Sequence, residues 1–191
     1  MAAPTEHEAE AEFHIPLRPD GWTVDEVLAL PEDQTSQQRI ELVDGALLVS
    51  PWPRLEHQRL VGTLWGQLAA AAGKQFEVFP GANVVLGNRG NRLLIPDLVV
   101  TDEPGLTGVS LTEQQVRLVV EIVSPSSRLQ DRILKRIVYA EALISFYLLV
   151  EPGEQNTATL FEIQGEDYVP IAKSKSGELH LTRPFEATLR L

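Results

Sequence analysis

The chain has 191 residues and a formal net charge of −11, from 27 acidic and 16 basic side chains. Its length and its 43% hydrophobic content predict one domain that can bury a core of its own. Because there is no cysteine and only four histidines, disulfides, iron–sulfur clusters and thiolate zinc sites are excluded. Any metal would be held by oxygen ligands, which suit magnesium, manganese or calcium. The acidic balance argues against a general attraction to nucleic-acid phosphates, although local charge can override it.

The first 20 residues predict a disordered acidic leader, which ends at the turn sequence Arg18-Pro19-Asp20-Gly21. This segment has no basic region of the kind that opens a signal peptide, and no apolar run approaches the roughly 18 residues of a membrane span. We therefore expect a cytoplasmic protein without membrane contact, whose single domain covers residues 21–191.

The order of apolar patterns along this domain predicts a mixed α/β (α+β) fold. Thr23 can cap a short helix, Asp44-Gly45 suits the tight turn of an N-terminal hairpin, and leucines at four-residue spacing predict a long amphipathic helix. The predicted helices span residues 24–30, 55–72 and 126–142, the last capped by Ser126 or Ser127, and the predicted strands lie within 39–50, 76–86, 93–101, 116–123 and 145–150, followed by short β segments.

Two acidic residues lie inside predicted buried strands. Asp97 follows Pro96 in the apolar run 93–100, and Glu121 lies in the apolar run 118–123. Burying a carboxylate costs several kcal/mol unless a cation, a proton or good hydrogen bonds compensate. If the two strands are neighbours, both carboxylates converge on one site, and we favour a divalent metal as their partner. The simpler reading is that both acids face solvent or pair with arginines.

The helix after Glu121 adds cations to this region. Asp131 and Lys135 are four residues apart and are expected to share one helix face, so that Lys135 lies close to both carboxylates. A metal beside a lysine is suited to phosphodiester hydrolysis, although such a lysine is more often part of a surface ion pair. The same pattern predicts a cationic stripe of Arg128, Arg132 and Arg136, with Leu129, Ile133 and Ile137 pointing into the core.

These segments together resemble the Uma-type restriction endonucleases of the PD-(D/E)xK nuclease superfamily, from residue 22 to about residue 152. The matching pieces are RIELVDG (39–45), SPWP (50–53) with His57, IPD (95–97), VVEIVSPS (119–126) and DRILKRIVYA (131–140).

The resemblance implies a restriction-endonuclease-like core, in which helices flank a central mixed β-sheet, and it implies Mg²⁺, with Mn²⁺ as a substitute. By position in the motifs, Asp97 and Glu121 resemble the metal-binding acids, and the carbonyl of Ile122 is a further candidate ligand. The usual lysine position, two residues after the second acid, is Val123 here, so the resemblance assigns the lysine role to Lys135. Glu41 matches an upstream glutamate that can complete the metal shell.

The resulting hypothesis is a magnesium-dependent endonuclease that hydrolyses DNA, with Arg128, Arg132 and His57 as nucleic-acid-binding candidates. Double-strand cleavage needs two copies of one site, so the resemblance also implies a homodimer.

Two alternatives stay open. One is a catalytically silent nuclease fold that serves as a binding or dimerisation module. The other, ranked last, is a hydrolase with a carboxylate pair, such as a glycosidase. The three tryptophans are far apart in the sequence and are interpreted as core or interface residues rather than as a stacking platform.

Overall fold

The computed structural model describes residues 18–30, 38–87, 91–124 and 130–191. Most of the predicted acidic leader and both predicted capping serines lie outside these ranges. The helical segments are α1 (Val24–Leu28), α2 (Leu55–Ala72), a 3-10 turn (Glu113–Gln115), a π-helix (Gln130–Lys135) and α3 (Arg136–Glu141). The strands are β1 (Gln38–Val43), β2 (Ala46–Pro51), β3 (Glu77–Pro80), β4 (Val84–Val85), β5 (Leu93–Leu94), β6 (Leu98–Thr101), β7 (Leu111–Thr112), β8 (Leu118–Ile122), β9 (Phe146–Glu151), β10 (Thr157–Gln164), β11 (Asp167–Lys173), β12 (Glu178–Leu181) and β13 (Ala187–Arg190).

A six-stranded sheet in the order β11-β10-β9-β8-β6-β3 forms the centre of the fold. It is mixed, because β8 and β9 run parallel while the other neighbours are antiparallel. A five-stranded sheet in the order β2-β1-β5-β4-β7 lies beside it, and β12 and β13 form a small antiparallel pair. The predicted central mixed sheet with flanking helices and an N-terminal hairpin is therefore confirmed.

Successive residues of β8 face opposite sides of the central sheet, as the pleat of a strand requires. Leu118 and Val120 belong to the cluster that contains Leu64 and Leu68 of α2. Val119, in contrast, packs in the cluster on the other face, which is covered by α3. Glu121 is two residues after Val119 on the same strand, so its side chain also points to the α3 side of the sheet.

The hairpin of β1 and β2 turns where the sequence predicts. Asp44 and Gly45 have positive φ angles of 50° and 86°, as a tight two-residue turn of this kind requires. The pairing places Leu42 opposite Leu47 and Glu41 opposite Leu48. Because side chains alternate along a strand, Glu41 is buried on the face opposite to that of Ile40 and Leu42.

Two predicted strands are each divided between the two sheets. The segment 76–86 separates into β3 and β4, with Gly81 between them at a φ of 61°, and the segment 93–101 separates into β5 and β6. Pro96 has no amide hydrogen to donate to a ladder, so the strand breaks there. Asp97 consequently lies at the point where the chain passes from one sheet to the other.

The predicted orientation of the last helix is wrong in part. Ile133 and Ile137 are 56% and 52% exposed, whereas Lys135, Val138 and Tyr139 are buried. The two isoleucines share one face, as their spacing of four residues predicts, but that face is exposed because Lys135 and Tyr139 take the buried one. Leu129 lies outside the described residues.

Candidate active site

Four charged side chains meet where the two sheets adjoin. They are Glu41 on β1, Asp97 before β6, Glu121 on β8 and Lys135 at the end of the π-helix, and each is at most 5% exposed. Residues separated by up to 94 positions in the chain are thus brought into one site. All four were proposed as catalytic candidates from the sequence.

Lys135 lies between two carboxylates. Its Nζ is 2.9 Å from Oε1 of Glu41 and 3.0 Å from Oε1 of Glu121. The hydroxyl of Tyr139 also donates to Oε1 of Glu121, at 2.7 Å. Glu41 accepts a further hydrogen bond of 2.8 Å from the amide of Ile95. Glu41 is therefore held by the Ile95 amide, directly after β5, and in turn holds the ammonium of Lys135 in place.

Asp97 is held by a second set of donors. The amide of Ile122 donates to Oδ2 at 2.7 Å, and Arg39 donates to Oδ1 at 3.0 Å. Nε2 of His57 lies 3.0 Å from the same Oδ1. Because β6 pairs with β8 so that Leu98 is opposite Val120, continuing this register by one residue brings Asp97 beside Glu121.

The charges in the site shift several pKa values. Burial by itself would raise the pKa of Asp97, but the hydrogen bond to His57, the charge of Arg39 and the Ile122 amide lower it to about 2. Burial would likewise lower the pKa of Arg39, yet the charges of Asp97, Glu41 and Glu121 raise it above its usual value. Asp97 is therefore ionised and Arg39 is charged at neutral pH.

Tyr139 is a neutral donor in this environment. Its burial and the neighbouring Glu121 and Glu41 charges hold its pKa well above the usual value. A phenol that keeps its proton can donate to a carboxylate across the whole physiological pH range. Tyr139 and Lys135 together fix the position of one oxygen of Glu121.

The site opens on a cleft of about 1120 Å³. Its lining includes Asp97, Glu121, Lys135 and the backbone segment at Ile122. The elements that form the cleft are β1, the loop from β2 to α2, the first turns of α2 and the ends of β8 and β9. A ligand that enters this cleft therefore meets all four charged groups.

Arg39 and Tyr139 were not predicted from the sequence to belong to the site, although simple periodicity points to both. Arg39 is two residues before Glu41 on the same strand and therefore shares its face. Tyr139 is four residues after Lys135 on the helical segment that follows the π-helix. Once a residue is assigned to a site, its same-face neighbours are the next candidates.

The predicted nucleic-acid candidates have different outcomes. His57 lies in the cleft against Asp97. Arg128 and the side chain of Arg132 lie outside the described residues. Arg136, the third member of the predicted stripe, donates to the carbonyl of Tyr168 at 2.7 Å and lies over the ring of Phe161. It packs on the sheet, so the prediction of a solvent-facing stripe is wrong at this residue.

The donor set fits a hard divalent cation that uses two carboxylates. Among the described residues, no group of three or more His, Cys, Asp or Glu side chains is arranged to hold a metal. Magnesium, however, usually binds proteins through only one or two carboxylates and completes its shell with water and substrate phosphate. Asp97 and Glu121, which both line the cleft, are two carboxylates of the kind such a cation uses.

The fold defines the class of the protein as a nuclease-like α+β domain. It is similar to a crystal structure from Anabaena variabilis ATCC 29413, described as "a putative nuclease belonging to DUF820", with a TM-score of 0.65. The two chains are 20% identical, and the similarity covers 85% of this chain and 89% of that chain. At this level of identity the likeness establishes the fold alone.

The family follows from the sequence itself. Residues 24–191 match the family model Uma2, described as "Putative restriction endonuclease", and the chain belongs to this family. The match confirms the resemblance and extends it through β10–β13 to the last residue. It supports a nuclease function in general terms. No curated protein matches the chain.

Proposed function

We propose that this protein is a metal-dependent endonuclease that hydrolyses DNA phosphodiester bonds. The observation that carries the proposal is the buried Lys135, which lies between Glu41 and Glu121 on the wall of a cleft that also contains Asp97. Family membership supports the same class of activity.

The burial of so many charges argues for a functional role. Buried ion pairs contribute little to stability, because desolvation offsets much of their attraction, and an apolar replacement is often as stable. Clusters of this kind with shifted pKa values occur preferentially at functional sites. Here the cluster opens on a large cleft, where a substrate can reach it.

We assign Mg²⁺, which Mn²⁺ can replace, to Asp97, Glu121 and the carbonyl of Ile122. Such an ion, when bound, supplies positive charge that polarises a phosphoryl oxygen and lowers the pKa of water. Asp97 is suited to this role because its low pKa keeps it anionic at every physiological pH.

Of the remaining residues, Lys135 is assigned a direct role toward the substrate and the others position the side chains of the site. Lys135 is the ammonium closest to Glu121, and we assign it the role of orienting the attacking water and stabilising negative charge on the phosphate. Glu41, Arg39 and Tyr139 are positioning residues, since their contacts are with Lys135, Asp97 and Glu121 respectively.

A catalytically silent binding module is the second candidate. It is favoured by one observation, namely that Asp97, Glu41 and Glu121 each accept hydrogen bonds from protein groups. These carboxylates thus have partners within the protein in the absence of a metal.

Cleavage of supercoiled plasmid DNA separates the two candidates. We expect the wild-type protein to convert the plasmid to nicked and linear forms with Mg²⁺ or Mn²⁺ and not with EDTA. Asp97→Asn should lower the rate at least a hundredfold, while Lys74→Gln, a surface change beyond the end of α2, should leave it unchanged. A folded wild type that cleaves neither plasmid nor single-stranded circles with any of these metals would support the silent module.

We also propose that the active form is a homodimer, because one site cuts one strand and a duplex has two. Sedimentation equilibrium of the protein on a short duplex gives the number of chains in the complex. Two chains are expected, and one chain on a duplex that is cut in both strands would contradict the dimer.

A further inference from the structure

One tryptophan is exposed at the mouth of the cleft. Trp52, in the loop from β2 to α2, is 62% exposed and lines the same cleft as Asp97 and Glu121. Prolines on both sides, Pro51 and Pro53, restrict its backbone. A core position is therefore wrong for Trp52, while an interface position stays a prediction, and its exposed ring lines the cleft that contains the catalytic candidates.

Two arginines line the same cleft as this ring. Arg54 and Arg59, at the start of α2, are exposed and line the cleft. Within the described residues, neither makes an ion pair. Other arginines of the structure behave differently, because each of the following is paired with an acid: Arg18, Arg39, Arg92, Arg117, Arg183 and Arg190.

The cleft differs in charge from the rest of the molecule. Its lining contains the basic side chains Arg39, Arg54, Arg59, Lys135 and Arg190 against the acidic side chains Glu41, Glu56, Asp97 and Glu121. The whole chain carries a net charge of −11. The lining is therefore close to charge balance although the whole chain is strongly acidic, and Arg54 and Arg59 are exposed cations within it.

We propose that Trp52, Arg54 and Arg59 form an entry surface for an unpaired segment of a nucleic-acid strand, with one base stacked on Trp52 and adjacent phosphates on the two arginines. Aromatic rings that alternate with cations are the usual platform for single-stranded nucleic acid. Bases inside a duplex cannot stack on an external ring, so the bound segment is unpaired. A neutral sugar chain could also stack on Trp52, but it would leave both arginines without a partner.

The inference deepens the proposed function, since the strand bound at the entry surface would be the substrate of the Asp97–Glu121 site. It also identifies a nucleic-acid surface different from the predicted helical stripe. The volume of about 1120 Å³ exceeds that of most small-molecule pockets, which suits a polymer segment better than a metabolite.

Fluorescence titration with an oligothymidylate in EDTA tests the entry surface without cleavage. Stacking quenches tryptophan emission, so we expect quenching in the wild type and in Trp65→Phe, and its loss in Trp52→Phe. Trp65 is the matched control, because it is also exposed but is not among the residues that line the cleft, and its Nε1 donates to the carbonyl of Val78.

Affinity and its salt dependence test the arginines. We expect Trp52→Ala to weaken binding roughly tenfold, and Arg54→Gln and Arg59→Gln each to weaken it several-fold and to reduce the slope of log K against log salt by about 0.7. The control Lys74→Gln removes the same charge at the opposite end of α2 and should change neither quantity.

The outcomes distinguish this inference from the proposed function. Wild-type affinity in Trp52→Ala, equal binding of a blunt hairpin duplex, or equal quenching by a neutral oligosaccharide would each overturn the entry surface. Quenching at Trp52 with no cleavage under Mg²⁺ would support the entry surface while refuting the nuclease. Cleavage that is insensitive to all three substitutions would support the nuclease and overturn the entry surface.

Discussion

Lys135 has a structural contact and a place in the cleft at the same time. Its ammonium pairs with buried carboxylates, and the residue lines the cleft. Its ammonium is within 3.0 Å of both Glu41 and Glu121. The sequence placed it near both carboxylates by its position on the helix after Glu121, and the family resemblance then assigned it the lysine role, since Val123 occupies the usual lysine position. A lysine in an ordinary surface helix pair would have the same sequence pattern, so burial is the feature that distinguishes the two.

Replacing Lys135 by methionine should destabilise the protein strongly. The change leaves Glu41 and Glu121 buried without their shared cation, which costs about 3 to 5 kcal/mol of unfolding free energy. Urea denaturation in EDTA measures the loss, and adding Glu121→Gln to the same chain should recover part of it. A loss below about 1 kcal/mol, similar to that of the exposed control Lys74→Met, would mean that the ammonium is not buried between these acids.

Asp97 should make the stability of the protein sensitive to acid. Its folded pKa of about 2 lies below the unfolded value of 3.8, so its contribution is present above the unfolded value and disappears as the pH falls through the folded one. We expect Asp97→Asn to cost about 2 kcal/mol of unfolding free energy near pH 5. Below about pH 4 the difference in unfolding free energy between the variant and the wild type should become smaller.

Carbon-13 NMR of the Asp97 carboxyl carbon gives the titration directly. A midpoint at or above the ordinary value of 3.8 would contradict the contacts with His57, Arg39 and the Ile122 amide.

Among the elements, the long helix and the hairpin were predictable because local signals define them. Helix α2 has the predicted bounds of 55–72 and ends before Gly73. The hairpin turn follows from Asp44-Gly45 alone. Local chemistry of this kind requires no knowledge of the tertiary fold.

The division of strands between the two sheets was not predictable in the same way. Periodicity makes residues 93–101 one apolar strand, and only the pairing of β5 with β1 and of β6 with β8 reveals the break at Pro96. The exposure of Ile133 and Ile137 has a similar origin, because Lys135 and Tyr139 take the buried face in order to reach Glu121. In both places long-range contacts override the local apolar pattern.

Two glycine substitutions should have opposite effects on stability. Gly45→Ala places a side chain at a φ of 86° and should cost about 1 to 2 kcal/mol, since L residues are strained there. Gly66→Ala lies in an exposed turn of α2 with no atom within 4 Å of the added carbon, so it should stabilise by about 0.5 to 1 kcal/mol. Thermal unfolding measures both changes. Equal melting temperatures for the two variants would be inconsistent with the described hairpin and helix.

At the scale of the whole molecule, the site exists only because both sheets and the last helix are assembled. Glu41 comes from the five-stranded sheet, Glu121 from the central sheet and Lys135 from the helical segment that covers it. No helix among the described residues is long and apolar enough to cross a lipid bilayer. The sequence supplied the residues of the site, but their mutual contacts depend on the packing of the complete fold.

The overall acidity of the chain and a nucleic-acid substrate are compatible because the charges are unevenly distributed. Arg54 and Arg59, which have no carboxylate partner among the described residues, are exposed cations on the lining of the cleft. The net charge argues against a general attraction to phosphates, and only the structure reveals which cations line the cleft.

Calorimetric titration with Mg²⁺ and Mn²⁺ tests the central claim most directly, namely that the buried carboxylates form a metal-holding catalytic site. The titration compares the wild type with an Asp97→Asn, Glu121→Gln double variant, in the presence of a phosphorothioate oligonucleotide that completes the metal shell. Circular dichroism first establishes that both proteins are folded. We expect saturable binding to the wild type that is lost in the double variant. Equal binding, or none in either protein, would contradict the account and leave the four charged residues as a structural ion cluster.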